Sequence, residues 1–170
     1  AYIDFGGRSA LELVSRYDNL LVVQTFSKSR SMAGMRIGYA IGQAEIIKAL
    51  NDFKYSFNSY TMSQAALMLG AEAVRDRVYF EACTEKIIKT REWVSEELKA
   101  LGFVFNEPWA NFIFASHPKY PAKELFDALR KEKIYVRYFN LPRIDNYLRI
   151  TMGTDEEMKT LIRFLKAYMK

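Results

Sequence analysis

Apolar positions along the first half of the chain come as one dense run between helical stripes. Leu20-Leu21-Val22-Val23-Gln24-Thr25-Phe26 is short and rich in β-branched residues, the pattern of a strand buried on both faces as in a parallel sheet. Upstream, Ala1 to Phe5 reads as the end of a strand, broken by Gly6-Gly7. Ser9 to Tyr17 reads as a helix, with Ser9 and Glu12 at capping-box spacing and Leu11, Leu13 and Val14 on its apolar face. Downstream, the small polar stretch Ser27 to Met32 predicts a loop. Arg36 to Ile41 predicts a strand bounded by Gly34 and Gly42, and Ala44 to Asp52 and Thr61 to Val74 predict two helices.

The second half has a different rhythm. From Asp76 to Leu101, the residues Phe80, Cys83, Ile87, Val94, Leu98 and Leu101 recur at helical spacings, and Gly102 suits the position just past a helix end. Phe103-Val104-Phe105 and Asn111 to Ala115 read as strands around a turn at Pro108. A helix over Ala122 to Lys131 follows, then strands at Ile134 to Arg137 and Tyr147 to Thr151. The last helix is the clearest: Thr154 caps it, Glu157 completes the box, and Met158, Leu161, Ile162, Leu165 and Tyr168 form its face. The pattern divides the chain into residues 1–75, where strand and helix alternate, a long helix over 76–102, and a small α/β unit over 103–170.

Composition adds little to this fold picture but limits the chemistry. The chain has 170 residues, half of them apolar and 26% charged, as expected of a globular protein with a real core. The net charge of +5 lies entirely in the second half, which suggests an anionic partner. One cysteine, Cys83, and one histidine, His117, exclude a disulfide framework and multi-cysteine or multi-histidine metal sites, and they fit a reducing, cytoplasmic setting. The longest uncharged run, Tyr55 to Ala71, is too polar and too short to span a bilayer, so no membrane partner is expected. No signal peptide is visible, and the chain opens without Met on the end of a predicted strand, so it reads as a fragment of a longer protein.

One segment carries candidate chemistry. In Thr25-Phe26-Ser27-Lys28-Ser29-Arg30-Ser31-Met32-Ala33-Gly34-Met35-Arg36-Ile37-Gly38-Tyr39, a buried strand delivers Lys28 to its C-terminal end, where open α/β sheets place ligands. Hydroxyls flank the lysine, and Arg36 offers a planar fork for phosphate. A lysine among cations loses its proton more readily and can condense with a carbonyl. The residues therefore suit a phosphorylated carbonyl ligand. They also suit a solvated basic loop, and the order matches neither a P-loop nor a dinucleotide fingerprint.

The S-K-x-x-x-x-x-G-x-R-x-G-Y pattern over Ser27 to Tyr39 resembles the lysine region of fold-type I pyridoxal-phosphate aminotransferases. Ala1-Tyr2 is similar to the end of the D-E-A-Y strand of the histidinol-phosphate aminotransferases among them, and Ala110-Asn111-Phe112 to their A-N-F strand. Val136-Arg137-Tyr138-Phe139 and Leu148 to Thr154 resemble their two C-terminal arginine strands. These segments fall in family order across nearly the whole chain. The resemblance implies an α/β fold: residues 1–75 as the C-terminal part of the large cofactor-binding domain, 76–102 as an interdomain helix, and 103–170 as the small domain.

The resemblance also implies roles. Lys28 would hold pyridoxal 5′-phosphate and move the proton from the substrate α-carbon; Ser27 and Arg36 would hold the cofactor phosphate; Tyr2 would bond the phenolic oxygen. Arg149, assisted by Arg137, would bind the phosphate of histidinol phosphate or the carboxylate of glutamate. The implied reaction is transamination of L-histidinol phosphate with 2-oxoglutarate in histidine biosynthesis, by a homodimer. The family's aspartate to the pyridine nitrogen and its glycine-rich phosphate turn would lie upstream of Ala1, and Asp4 is on the wrong side of Tyr2 to replace that aspartate. The isolated 170 residues are therefore expected to bind the cofactor weakly and to transaminate little or not at all. A related aromatic amino-acid aminotransferase or threonine-phosphate decarboxylase is the alternative enzyme. A basic module binding single-stranded nucleic acid is the alternative outside enzymes, but the aromatics fall mostly at core spacings and no nucleic-acid partner is expected.

Overall fold

The computed structural model describes all 170 residues as two compact units, Ala1–Thr84 and Glu85–Lys170. The boundary falls within one long helix, and no helix is long and apolar enough to cross a membrane.

The first unit is built on a two-stranded antiparallel ribbon, β1 (Leu21–Thr25) and β2 (Gly38–Gly42), paired from Leu21 opposite Gly42 to Thr25 opposite Gly38. Helices α1 (Ala44–Phe57) and α2 (Gln64–Arg75) follow, then the start of α3 (Arg77–Ala100). Phe26, Ile37 and Ala66 form its small core, with Gly70 of α2 so close that a Cβ there would lie 2.8 Å from Ile37 Cδ1.

Five expectations need correction here. The start of the chain is a 3-10 turn, Ile3–Phe5, because fully buried Phe5 anchors it and Gly6 closes it at φ +98°. Ser9 to Tyr17 holds only a 3-10 turn, Leu11–Leu13: the Ser9 hydroxyl accepts from Leu11 N–H two residues on, and Glu12 pairs with Arg8 instead of completing a box. The run Leu20 to Phe26 is a strand, but antiparallel to its one partner and half-buried, with Val23 64% exposed. Its β-branched content marks strand geometry, and burial depends on what packs against it. Arg36 is left-handed (φ +57°), so β2 begins two residues later than expected. Helix α1 also runs five residues past Asp52, held by the Lys48–Asp52 pair and by Ser56 Oγ donating to the Asp52 carbonyl.

The second unit packs helices on one face of a three-stranded antiparallel sheet ordered β3 (Phe112–Ala115), β5 (Leu148–Thr151), β4 (Arg137–Tyr138). Ile113, Ala115, Leu148 and Ile150 point into the core, each at most 2% exposed, against α4 (Ala122–Lys131), α5 (Asp155–Tyr168) and Val94 and Leu98 of α3. The α4 limits are those the pattern predicts, and α5 carries the expected box: Glu157 N–H donates to Thr154 Oγ1 and Thr154 N–H to the Glu157 carboxylate. Gly102 sits at φ +87° past α3, as its position predicted. Phe103 to Phe105 contributes only a single bridge, Val104 to Ser116, because no strand continues the pairing. The strand expected from Ile134 begins at Arg137, since Ile134 N–H closes the end of α4 on the Leu129 carbonyl and left-handed Lys133 precedes it.

Candidate functional site

The first group of site residues lies on the loop between β1 and β2. Thr25, the last residue of β1, holds Ser27 twice: its Oγ1 accepts from Ser27 N–H at 3.1 Å and shares a 2.8 Å hydrogen bond with Ser27 Oγ. Phe26 N–H donates to the Ile37 carbonyl, Met32 N–H to the Phe26 carbonyl and Ser31 N–H to the Lys28 carbonyl, so the loop is closed on itself. Within it Lys28 is exposed and ion-paired with no carboxylate, while Ser29 is buried and donates to Asp4 Oδ2 at 2.5 Å. Asp4 belongs to the turn that starts at half-buried Tyr2, so the Tyr2 and Lys28 segments are neighbours. Arg36 is exposed and donates to the Ala33 carbonyl at 2.9 Å. Its left-handed backbone is uncommon for a residue with a Cβ and costs about 1–2 kcal/mol.

Arg30 was not singled out by sequence. Its guanidinium lies 4.1 Å from the centre of the Phe80 ring and 5.4 Å from that of Phe26, and it donates to the Ala73 carbonyl near the end of α2. It staples the lysine loop to the helices of its unit. The loop thus carries an exposed amine, hydroxyls and a guanidinium, and the turn that follows Tyr2 is hydrogen-bonded to it through Asp4. That donor set fits a phosphate ester carrying an aldehyde.

The second group lies on the sheet of the second unit. Arg137 and Arg149 are directly opposite across β4 and β5, and Phe114 is opposite Arg149 across β3 and β5. Directly opposed residues share a face, so one row runs Phe114, Arg149, Arg137 on the face away from the core. Rings floor it. Arg149 lies 5.4 Å from the Phe112 ring centre, Arg137 the same distance from Phe139, and Phe114 stacks on Tyr147 at 4.7 Å. Neither arginine has a carboxylate partner, and Arg149 Nε is buried without a hydrogen bond. Beside the row a cleft of 460 Å³ is lined by Trp109, Phe112, Phe114, Arg143, Ile144 and Tyr147. Arg91 of α3, only 4% exposed, donates to the Ala110 carbonyl at 2.8 Å and so fixes the entry to β3. Burial pushes its pKa below the ordinary arginine value, against the opposing pull of Glu92 and Glu107.

The structure therefore places Tyr2, Ser27, Lys28 and Arg36 in the first unit and brings Arg137 and Arg149 together in the second. The aromatic floor was illegible in sequence because both faces of Phe112-Ile113-Phe114-Ala115 are apolar, so alternation could not say which faced the core. Asn111 is half-buried, and its carbonyl accepts from Met152 N–H, continuing the strand pairing.

These two units have the fold of the C-terminal part of a pyridoxal-phosphate-dependent transferase, an α/β cofactor-domain segment with a small α+β domain. The histidinol-phosphate aminotransferase of Sinorhizobium meliloti, solved in complex with pyridoxal-5′-phosphate, superposes with a TM-score of 0.81 at 24% identity, covering 99% of this chain and 48% of that one. Residues 1–165 match the family model described as aminotransferase class I and II, and the chain belongs to that family. It is 54% identical over 170 residues to the histidinol-phosphate aminotransferase of Lactococcus lactis subsp. lactis (strain IL1403), covering all of this chain and 47% of that protein. It is 51% identical over 166 residues to that of Clostridium botulinum (strain Okra / Type B1), covering 98% of this chain and 47% of the relative. The chain thus spans about half the length of these curated relatives.

Proposed function

We propose that this chain supplies the cofactor lysine and the anion-binding arginines of an enzyme that transaminates L-histidinol phosphate with 2-oxoglutarate. The family match and the relatives' names support the class of reaction. The observation that carries the substrate is the Arg137–Arg149 row: two cations directly opposed on an aromatic face, with no carboxylate to neutralise them. Like charges so placed repel each other unless an anion sits between them. Two forks suit both a phosphate monoester and a dicarboxylate, the anions that the two half-reactions alternate.

Pyridoxal 5′-phosphate, when bound, supplies an electron-withdrawing ring that stabilises negative charge at the substrate α-carbon. The rest is the work of this chain's side chains. Lys28 Nζ, exposed on the loop after β1, would hold the cofactor aldehyde and, once displaced by the substrate amine, would be the free base that takes the proton from the α-carbon. Ser27 Oγ and the Arg36 guanidinium would bind the cofactor phosphate. The Tyr2 hydroxyl would donate to the ring oxygen and orient it. Arg149 and Arg137 bind the substrate's distal anion, and the rings of Phe112 and Phe139 keep their planes oriented. The enzyme is cytoplasmic and homodimeric in this reading. The second point is supported by the apolar surface of the first unit, where Phe53, Phe57 and Tyr60 are 79%, 88% and 92% exposed.

Calorimetry with L-histidinol phosphate and with L-histidinol tests the substrate assignment. The phosphorylated compound is expected to bind at least tenfold more tightly, and Arg149→Met to erase the difference. Equal binding of the two compounds, or an advantage for threonine phosphate, would reject histidinol phosphate as substrate.

A further inference from the structure

Three consecutive residues of the lysine loop have three different surroundings. Lys28 is exposed, Ser29 is 7% exposed and Arg30 is half-buried. Of the two serines beside Lys28, Ser27 shares a hydrogen bond with Thr25 at the end of β1, and Ser29 gives its hydroxyl proton to Asp4. The second bond is the unusual one. It spans 25 positions of sequence and ends on a carboxylate that has no cation partner. A hydroxyl donating to a carboxylate is among the stronger hydrogen bonds. Asp4 itself is fixed, because it sits in the Ile3–Phe5 turn whose Phe5 ring is fully buried and whose Phe5 N–H donates to the Tyr2 carbonyl. The turn that carries Asp4 therefore carries Tyr2, and the loop that carries Ser29 carries Lys28. Arg30 ties the same loop to Ala73 and Phe80, so the loop is held on two sides with Lys28 left pointing out.

We infer that Asp4 and Ser29 form a positioning pair, whose hydrogen bond sets the Lys28 amine against the Tyr2 phenol. The two residues act through Lys28 and Tyr2, and the inference rests on reading Lys28 as the cofactor lysine. It gives Asp4 a task in the site although it lies on the far side of Tyr2 from the position where the family resemblance places a ring-contacting aspartate.

The test compares the wild-type chain with Ser29→Ala, Asp4→Ala and Asp4→Asn. Asparagine keeps an oxygen that can accept from Ser29. Amide hydrogen exchange, read without cofactor, should quicken on the order of tenfold at Ser31 and Met32 in both alanine variants, the lower end for a hydrogen bond to a charged group. Amides of β5 and α5 should be unmoved, which controls for global unfolding. With pyridoxal phosphate and borohydride, the share of adduct at Lys28 should fall several-fold in the alanine variants as other lysines compete, and Asp4→Asn should recover at least half of it. Unchanged exchange or unchanged Lys28 trapping in the alanine variants overturns the pair, as does an Asp4→Asn variant as impaired as Asp4→Ala. A wild-type chain that takes no cofactor at Lys28 removes the underlying cofactor reading, whereas wild-type trapping beside unaffected variants removes only the positioning pair.

Discussion

Replacing Arg149 with methionine should stabilise the protein when no anion is present. The buried Nε of Arg149 makes no hydrogen bond, which costs about 1–3 kcal/mol. The directly opposite Arg137 adds about 0.2–1 kcal/mol of like-charge repulsion. Against these stands the contact of the guanidinium with the Phe112 ring, about 0.5–1 kcal/mol. Methionine has a similar reach, carries no charge and can pack on the same ring. The balance favours Arg149→Met by about 1–2 kcal/mol, or roughly 2–8 °C in melting temperature for a chain of this size. If Arg149 binds the substrate anion as proposed, histidinol phosphate should reverse the order. At a hundred times its dissociation constant it adds about 2.7 kcal/mol to the wild type, and it should add nothing to the variant. Thermal unfolding followed by circular dichroism, with and without the ligand, reads both arms. A variant less stable than wild type in ligand-free buffer would show that the arginine is structural. An equal ligand shift in both proteins would show that the anion binds elsewhere.

Other outcomes follow from packing. Thr154→Ala removes the α5 capping box and should cost about 1 kcal/mol in urea unfolding, with Thr154→Ser restoring most of it. His117 is 6% exposed; Nε2 bonds the Leu101 carbonyl at 3.0 Å, and Nδ1 accepts from the Lys119 and Tyr120 amides. His117→Ala strands three backbone groups and should lose about 2–4 kcal/mol by the same assay. Gly102→Ala should cost about 1–2 kcal/mol, because its φ is +87° and its Cβ would lie 3.0 Å from His117 Nε2. Phe57→Lys together with Tyr60→Lys should lower the sedimentation mass of the chain, if the exposed face of the first unit drives association.

The second unit was legible in sequence almost element by element because its signals are local. The Thr154–Glu157 box, the apolar stripe of α5 and the glycine after α3 each act within a few residues. The first unit was read less well. Its early segments depend on distant partners: Ser9 has the spacing of a capping box, but Glu12 is drawn to Arg8, and Ala1 to Phe5 is curled by the burial of one ring. The site divides along the same line. Lys28, Ser27 and Arg36 stand in a contiguous motif, and the two arginines in two short strands, so the family resemblance could nominate each as a candidate. What order could not show was the register that sets Arg137 directly opposite Arg149, or the bond from Ser29 to Asp4, since both join segments separated in sequence.

The central claim is that Lys28 is the residue that holds the cofactor. Incubating the chain with pyridoxal phosphate, reducing with borohydride and mapping the adduct by peptide mass spectrometry addresses it directly. The account predicts a pyridoxyl group concentrated on Lys28, lost in Lys28→Arg and reduced when inorganic phosphate competes for Ser27 and Arg36. Label spread evenly over the exposed lysines, with Lys28 no richer than Lys48 or Lys119, would contradict it.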